Sequence, residues 1–116
     1  MEEKLVQITF STKKLQILCT SEKPAKTGLR EKQIKILHQR IMEIKAADSL
    51  ADLYILRTLH CHELKGKLKG QYAVNLDAKY RIVFIIADDP IPKLPDGGVN
   101  RELVKEIEIV FVGDYH

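Results

Sequence analysis

The stretch Gln71-Tyr72-Ala73-Val74-Asn75-Leu76-Asp77-Ala78-Lys79-Tyr80-Arg81-Ile82-Val83-Phe84-Ile85-Ile86 decides the fold. Residues 71–76 alternate in polarity, the period-2 pattern of a strand with one buried face. Residues 80–86 are a dense run of β-branched and aromatic side chains, the composition of a buried strand. Asp77, Ala78 and Lys79 between them fit a short turn. The whole stretch reads as an antiparallel hairpin.

Toward the C-terminus, residues 88–100 carry Pro90, Pro92, Pro95, Gly97 and Gly98 and read as a mobile loop. Residues 103–112 close the chain as a final strand. Toward the N-terminus, residues 5–10 alternate so that Val6, Ile8 and Phe10 share one apolar face. Ser11 or Thr12 can cap a short helix containing Leu15, Ile17 and Leu18. Pro24 and Gly28 mark a turn over residues 23–28. Within residues 29–47, Ile34, Leu37, Ile41 and Ile44 fall three or four apart, which makes one helical stripe. Lys32, Lys35, Gln39, Arg40, Glu43 and Lys45 lie between them as a solvated, rather basic face. Residues 48–53 read as a break followed by a short helical turn or a connection, and residues 54–63 fit either helix or strand. The order is strand, two helices, then an antiparallel three-strand series. That order indicates an α+β domain with the helices on one sheet face. The other face is left to solvent or to a binding partner.

A chain of 116 residues suits one domain, 1–116, with a single core. No apolar run approaches the roughly 18 residues of a membrane span. Met1-Glu2-Glu3-Lys4 lacks the charged-then-apolar pattern of a secretory signal. Two cysteines, Cys19 and Cys61, give no disulfide framework and read as reduced thiols of a cytoplasmic protein. A net charge of +3 is mild, so the placement of the basic residues matters more than their number.

Residues 57–81 hold Arg57, Lys65, Lys67, Lys69, Lys79 and Arg81 with His60 and His62, against only Glu63 and Asp77. Gathered on one sheet face, these cations would attract a phosphate backbone, and Tyr72 and Tyr80 would offer rings for base stacking. The alternative is a solvated lysine-rich loop around Gly66 and Gly70, with both tyrosines in the core. His60-Cys61-His62 places two imidazoles on one side of a strand, with Cys61 facing away. Zinc takes at least three protein ligands, and Cys19 is distant in sequence, so a metal centre is not expected. Nothing in the sequence puts a base beside Cys61 to activate it.

The chain ends in Asp114-Tyr115-His116, an acid, a phenol and an imidazole that follow a strand-like run. A strand can anchor such a tail, as proton-transfer chemistry requires. Leu64-Lys65-Gly66, Gly70-Gln71-Tyr72, Lys79-Tyr80-Arg81-Ile82 and the terminal Asp114-Tyr115-His116 together resemble the HigB-like branch of the RelE/ParE toxin superfamily. Ala46-Ala47-Asp48-Ser49-Leu50-Ala51-Asp52-Leu53, where a helix ends before the basic segment, resembles it too. The resemblance spans about residues 31–87 and the last dozen.

It implies a RelE-like α+β fold: a small twisted antiparallel β-sheet with two N-terminal helices packed on one face. It implies the toxin of a type II toxin–antitoxin system, a ribosome-dependent endoribonuclease that cuts messenger RNA without a metal or cofactor. The implied partners are a HigA-like helix-turn-helix antitoxin, the ribosome with its messenger, and operator DNA indirectly through the antitoxin, with no membrane. By analogy His116 transfers a proton, Arg81 stabilises the transition-state phosphate and Lys65 neutralises phosphate charge. Asp114 orients His116 or its neighbours, and Tyr115 stacks on a base or hydrogen-bonds nearby. His62, Lys67, Lys69 and Lys79 bind RNA. Asn75 departs from the pattern, because relatives often carry arginine there. Residues 88–105 are longer than the usual tight turn, and their acids, Asp88, Asp89, Asp96 and Glu102, suit antitoxin contact or projection from the sheet edge better than RNA. Two alternatives are a ParE-like gyrase inhibitor of the same fold and a decayed toxin that only binds its antitoxin.

Overall fold

The computed structural model describes residues 5–21, 28–77 and 79–114. Five strands form one sheet: β1 (Gln7–Phe10), β2 (His62–Glu63), β3 (Gln71–Asp77), β4 (Tyr80–Ile86) and β5 (Glu106–Gly113). Three helices, α1 (Lys13–Thr20), α2 (Glu31–Lys45) and α3 (Leu50–Ile55), lie between β1 and β2. The spatial order is β1-β5-β4-β3-β2. The β3–β4 hairpin forms as its sequence indicates, with Tyr72 opposite Phe84 and Val74 opposite Ile82. β3 runs on to Asp77, which pairs with Tyr80.

The sheet is antiparallel except at one edge. β1 pairs with β5 in parallel, Gln7 opposite Glu106 through Phe10 opposite Ile109. Parallel neighbours need a crossover connection, and here every other element lies between the two strands. Periodicity shows that residues 5–10 form a strand, and it carries no information about the partner.

The helices pack on one face through the expected stripe. Leu37, Ile41 and Ile44 of α2 are buried against Tyr72, Val74, Ile82, Phe84, Ile107 and Ile109. Ile34 sits at the edge of the stripe, and the buried residue one position earlier is Gln33. Its side-chain oxygen accepts the Arg30 backbone N–H at 2.9 Å, half of a capping box at the start of α2. Thr12 caps α1, its hydroxyl accepting the Leu15 N–H at 3.1 Å. Arg40, expected on the solvated face, is drawn to the sheet. Its Nε donates to the Asn75 carbonyl at 3.1 Å, and its Nη1 bonds Glu43 at 3.0 Å. Among the described residues, no helix is long and apolar enough to cross a membrane.

The segment after β4 is more ordered than a proline-rich loop suggests. Lys93 bridges Val99, residues 101–103 make a 3-10 turn, and the last strand begins at Glu106 rather than at Leu103. The Asp88 carboxylate accepts the N–H groups of Lys105 and Glu106, and Asp96 accepts that of Gly98. Val104 is fully buried, and Arg101 stacks 3.8 Å above the centre of the Tyr54 ring. Two of the four acids therefore hold the segment's own backbone.

Cys19 and Cys61 are both buried and free. Burial pushes each thiol up to about 12 from the ordinary 9.0, Arg101 opposing the shift at Cys61. The native protein is expected to resist iodoacetamide at pH 8 and to show two reactive thiols in denaturant. Rapid labelling without denaturant would contradict this burial. The folded state holds these protons more tightly than the unfolded chain does. The associated stability is therefore complete below about pH 9 and is lost as pH rises toward the folded value.

Candidate active site

The face of the sheet away from the helices carries the candidate site. Along β4, Ile82 and Phe84 point into the helix-side core, so Arg81, Val83 and Ile85 occupy the opposite face. Arg81 stands between Asn75 on β3 and Gly113 on β5. In the next row Val83 lies between Ala73 and Phe111, and Ala73 in turn faces His62 on β2. Leu64, Ala73 and Val83 form a small second core under this face, with Val110 packed against it.

A β-bulge shapes the last strand. Val83 pairs with Phe111 and Phe84 with Ile109, which leaves Val110 as the extra residue. The bulge changes the parity of β5. Ile107 and Ile109 before it, and Val112 after it, pack toward the helices. Val110 and Phe111 both line a cleft on the open face, with Leu64, Leu68, Gln71, Val83 and Asp114. The cleft encloses about 570 Å³. Gly113 follows with φ +151°, a conformation L side chains rarely adopt. A Cβ there would meet Phe111 Cζ at 3.1 Å, so the Phe111 ring lies across the glycine.

Beyond Gly113 the chain reaches Asp114, whose Oδ2 lies 3.5 Å from Lys79 Nζ. The strand register thus joins the turn residue Lys79 to the last described residue, with Arg81 beside them on β4. Arg81 Nη1 also donates to the Tyr80 carbonyl at 2.9 Å, which anchors the guanidinium along the strand. Tyr115 and His116 lie outside the described residues. Lys65 is exposed at the start of the 3-10 turn Gly66–Leu68, and Lys67 and Lys69 are exposed beside it. Leu64 and Leu68, which line the cleft, interleave with these lysines.

Tyr72 is not a stacking surface. It is 3% exposed, on the helix side, with its ring stacked 5.6 Å from that of Phe84. Its place in the hydrophobic alternation of β3 outweighs its chemical suitability for bases. Tyr80 is half-buried and packs on the same core. His60 and His62 are adjacent, ring centres 5.1 Å apart, although only His62 belongs to a strand. His60 takes a left-handed turn with φ 46°, and its carbonyl lies 2.9 Å from Nδ1 of His62. Cys61 between them faces the core. Among the described residues, no three His, Cys, Asp or Glu side chains are grouped to hold a metal. Asn75, opposite Arg81, has a buried Oδ1 with no hydrogen-bond partner among the described residues, a cost of about 1–3 kcal/mol. Phe111 and the bulge that exposes it were not visible in sequence, because Val110-Phe111-Val112 is apolar throughout.

Residues 9–94 match the model of the HigB-like toxin family, described as the RelE-like toxin of a type II toxin–antitoxin system. The matched range includes Lys65 and Arg81 and stops before β5. The fold is similar to the YoeB-YefM complex from Staphylococcus aureus, at 16% identity over 96% of this chain and 98% of that one, with a TM-score of 0.55. The RelBE2 toxin–antitoxin complex from Mycobacterium tuberculosis is also similar, at 17% identity over 95% and 98% of the two chains, with a TM-score of 0.49. No curated protein matches the chain.

Proposed function

This chain belongs to the HigB-like family of RelE-like toxins of type II toxin–antitoxin systems, and we propose that it is an endoribonuclease that cuts messenger RNA on the ribosome. The observation that carries this reading is the register of β4 and β5. It sets Arg81 opposite Gly113 on the sheet face the helices leave open, and Asp114-Tyr115-His116 follow Gly113 in the sequence.

In the proposed reaction the ribose 2′-oxygen attacks the adjacent phosphorus while the bond to the 5′-oxygen breaks. The products are a 2′,3′-cyclic phosphate and a 5′-hydroxyl. One group removes the 2′ proton and another protonates the leaving oxygen. His116 is the proton-transfer residue, since an imidazole near its ordinary pKa of about 6.5 can both take and give a proton at neutral pH. The Arg81 guanidinium stays charged and can bond two phosphoryl oxygens at once, which suits the charge that develops on the phosphorane. Lys65 neutralises phosphate charge from the neighbouring turn. Lys79, paired with Asp114, holds the start of the tail against the hairpin, and Asp114 orients His116. Tyr115 stacks or hydrogen-bonds at the substrate. Lys67, Lys69 and His62 lead the RNA backbone to this face. The site uses no metal or cofactor in this scheme, and positioning with fixed charge supplies most of the acceleration.

The partner that keeps such a toxin silent is a HigA-like antitoxin with a helix-turn-helix domain, which also carries the complex to operator DNA. A cytoplasmic setting accords with two reduced thiols. Induced alone in bacteria, the protein is expected to stop growth, with primer extension showing new messenger 5′ ends inside translated codons. Intact messengers accompanied by gyrase-linked DNA breaks would overturn the nuclease reading in favour of a gyrase poison.

A further inference from the structure

We infer that the cleft beside Arg81 is a nucleobase pocket, in which Phe111 is the stacking surface and Gln71 reads the edge of the base. This rests on the endoribonuclease reading and adds how the same site would choose where to cut.

Three observations point to a base. The first is the pocket's composition. Val83, Val110 and Leu64 make an apolar floor, while Gln71 supplies an amide with both a donor and an acceptor. Apolar walls with a few placed polar groups suit a flat heterocycle. The second is Phe111. It is 38% exposed although it belongs to a central strand, because the Val110 bulge turns it out of the core. Its ring lies across Gly113, the register partner of Arg81, so a base stacked on it adjoins the position proposed for the scissile phosphate. The third is the rim. Lys65 and Lys67 are exposed and lie next to Leu64 and Leu68, which line the cleft. Cations around an apolar slot match a single strand, whose phosphates stay in solvent while its base is buried.

Gln71 stands at the start of β3, opposite Ile85, and Leu64 donates its backbone N–H to the Gln71 carbonyl at 2.8 Å. The backbone is thus fixed on both sides, which sets Gln71 at one wall of the slot. An amide distinguishes bases by the donor and acceptor pattern on their edges. Glutamate at the same position keeps the shape and offers only acceptors, so it favours a different set of bases.

The test measures ribosome-dependent cleavage of a defined messenger for wild type, Phe111→Ala, Phe111→Tyr and Gln71→Glu, with each variant's fold checked by thermal melting. Phe111→Ala is expected to lose about tenfold or more in cleavage rate, and Phe111→Tyr to recover most of that loss. Gln71→Glu is expected to change the ranking of cleaved codons. If wild type cleaves and the folded variants match it in rate and codon ranking, the pocket is overturned and the nuclease reading stands. If cleavage is unchanged but Phe111→Ala escapes neutralisation by the antitoxin, the cleft belongs to the antitoxin and the inference also fails. If Phe111→Ala slows cleavage while Gln71→Glu leaves the ranking intact, edge reading by Gln71 is overturned. If wild type cuts no messenger on the ribosome, both readings fall together.

Discussion

Arg81→Ala is expected to slow messenger cleavage on the ribosome by roughly 10²–10³-fold, the usual effect of removing one preorganised donor from a transition state. The guanidinium is held on rigid structure. Arg81 lies in β4, the middle strand of five, with β3 on one side and β5 on the other. Its neighbours Ile82 and Val83 are buried on opposite faces, which fixes the backbone that carries it. The side chain itself belongs to the open face, so truncation removes no volume from the helix-side core. Melting should therefore stay near that of wild type while activity falls. Arg81→Lys keeps the charge but loses the two-pronged bond, and it should remain well below wild type. Quantitative primer extension on purified ribosomes measures both. A folded Arg81→Ala that cleaves at the wild-type rate would remove Arg81 from the site.

Phe84→Ala is expected to destabilise the fold by about 3–5 kcal/mol, a large part of the roughly 5–15 kcal/mol available to a domain of this kind. Phe84 is fully buried in β4 and is among the largest side chains with no exposure. Its ring stacks on Tyr72 and is surrounded by residues from both the helices and the sheet. Alanine leaves a cavity that the flanking strands cannot close, since each is already paired on both sides. In urea titration the midpoint should fall while the slope stays constant. A loss under about 1 kcal/mol would mean that the sheet and helices repack freely around the gap. The bulge begins at this residue, so activity of the folded fraction also reports how far Phe111 depends on the core beneath it.

Much of this architecture was legible in the sequence because it is written in local periodicity. Val6, Ile8 and Phe10 share a face, the α2 stripe of Leu37, Ile41 and Ile44 is buried, and the β3–β4 hairpin forms where its turn residues fall. Features that depend on distant partners were not legible. Nothing in residues 5–10 shows that they lie parallel to β5. Arg40 alternates with the helical stripe like any solvated cation, yet a strand carbonyl recruits it. Tyr72 has the chemistry of a stacking residue and the position of a core residue, and burial of a large ring outweighs the contact it could make with a base. Of the proposed site, the strand that carries Arg81 was readable. Its setting was not, since the bulge at Val110 and the Lys79–Asp114 pair are products of register rather than of any motif.

The seat of β5 between β1 and β4 also governs when the molecule can exist at all. Translation delivers β1 first and β5 last, and β1 has no partner in the sheet until β5 has left the ribosome. The parallel pair closes a loop of nearly the whole chain, a high-contact-order pairing that is slow to form. A nascent chain can assemble its helices and the β3–β4 hairpin, but it holds an unfilled gap where β5 belongs. Until β5 docks, the cleft lacks the wall that Val110, Phe111 and Asp114 supply.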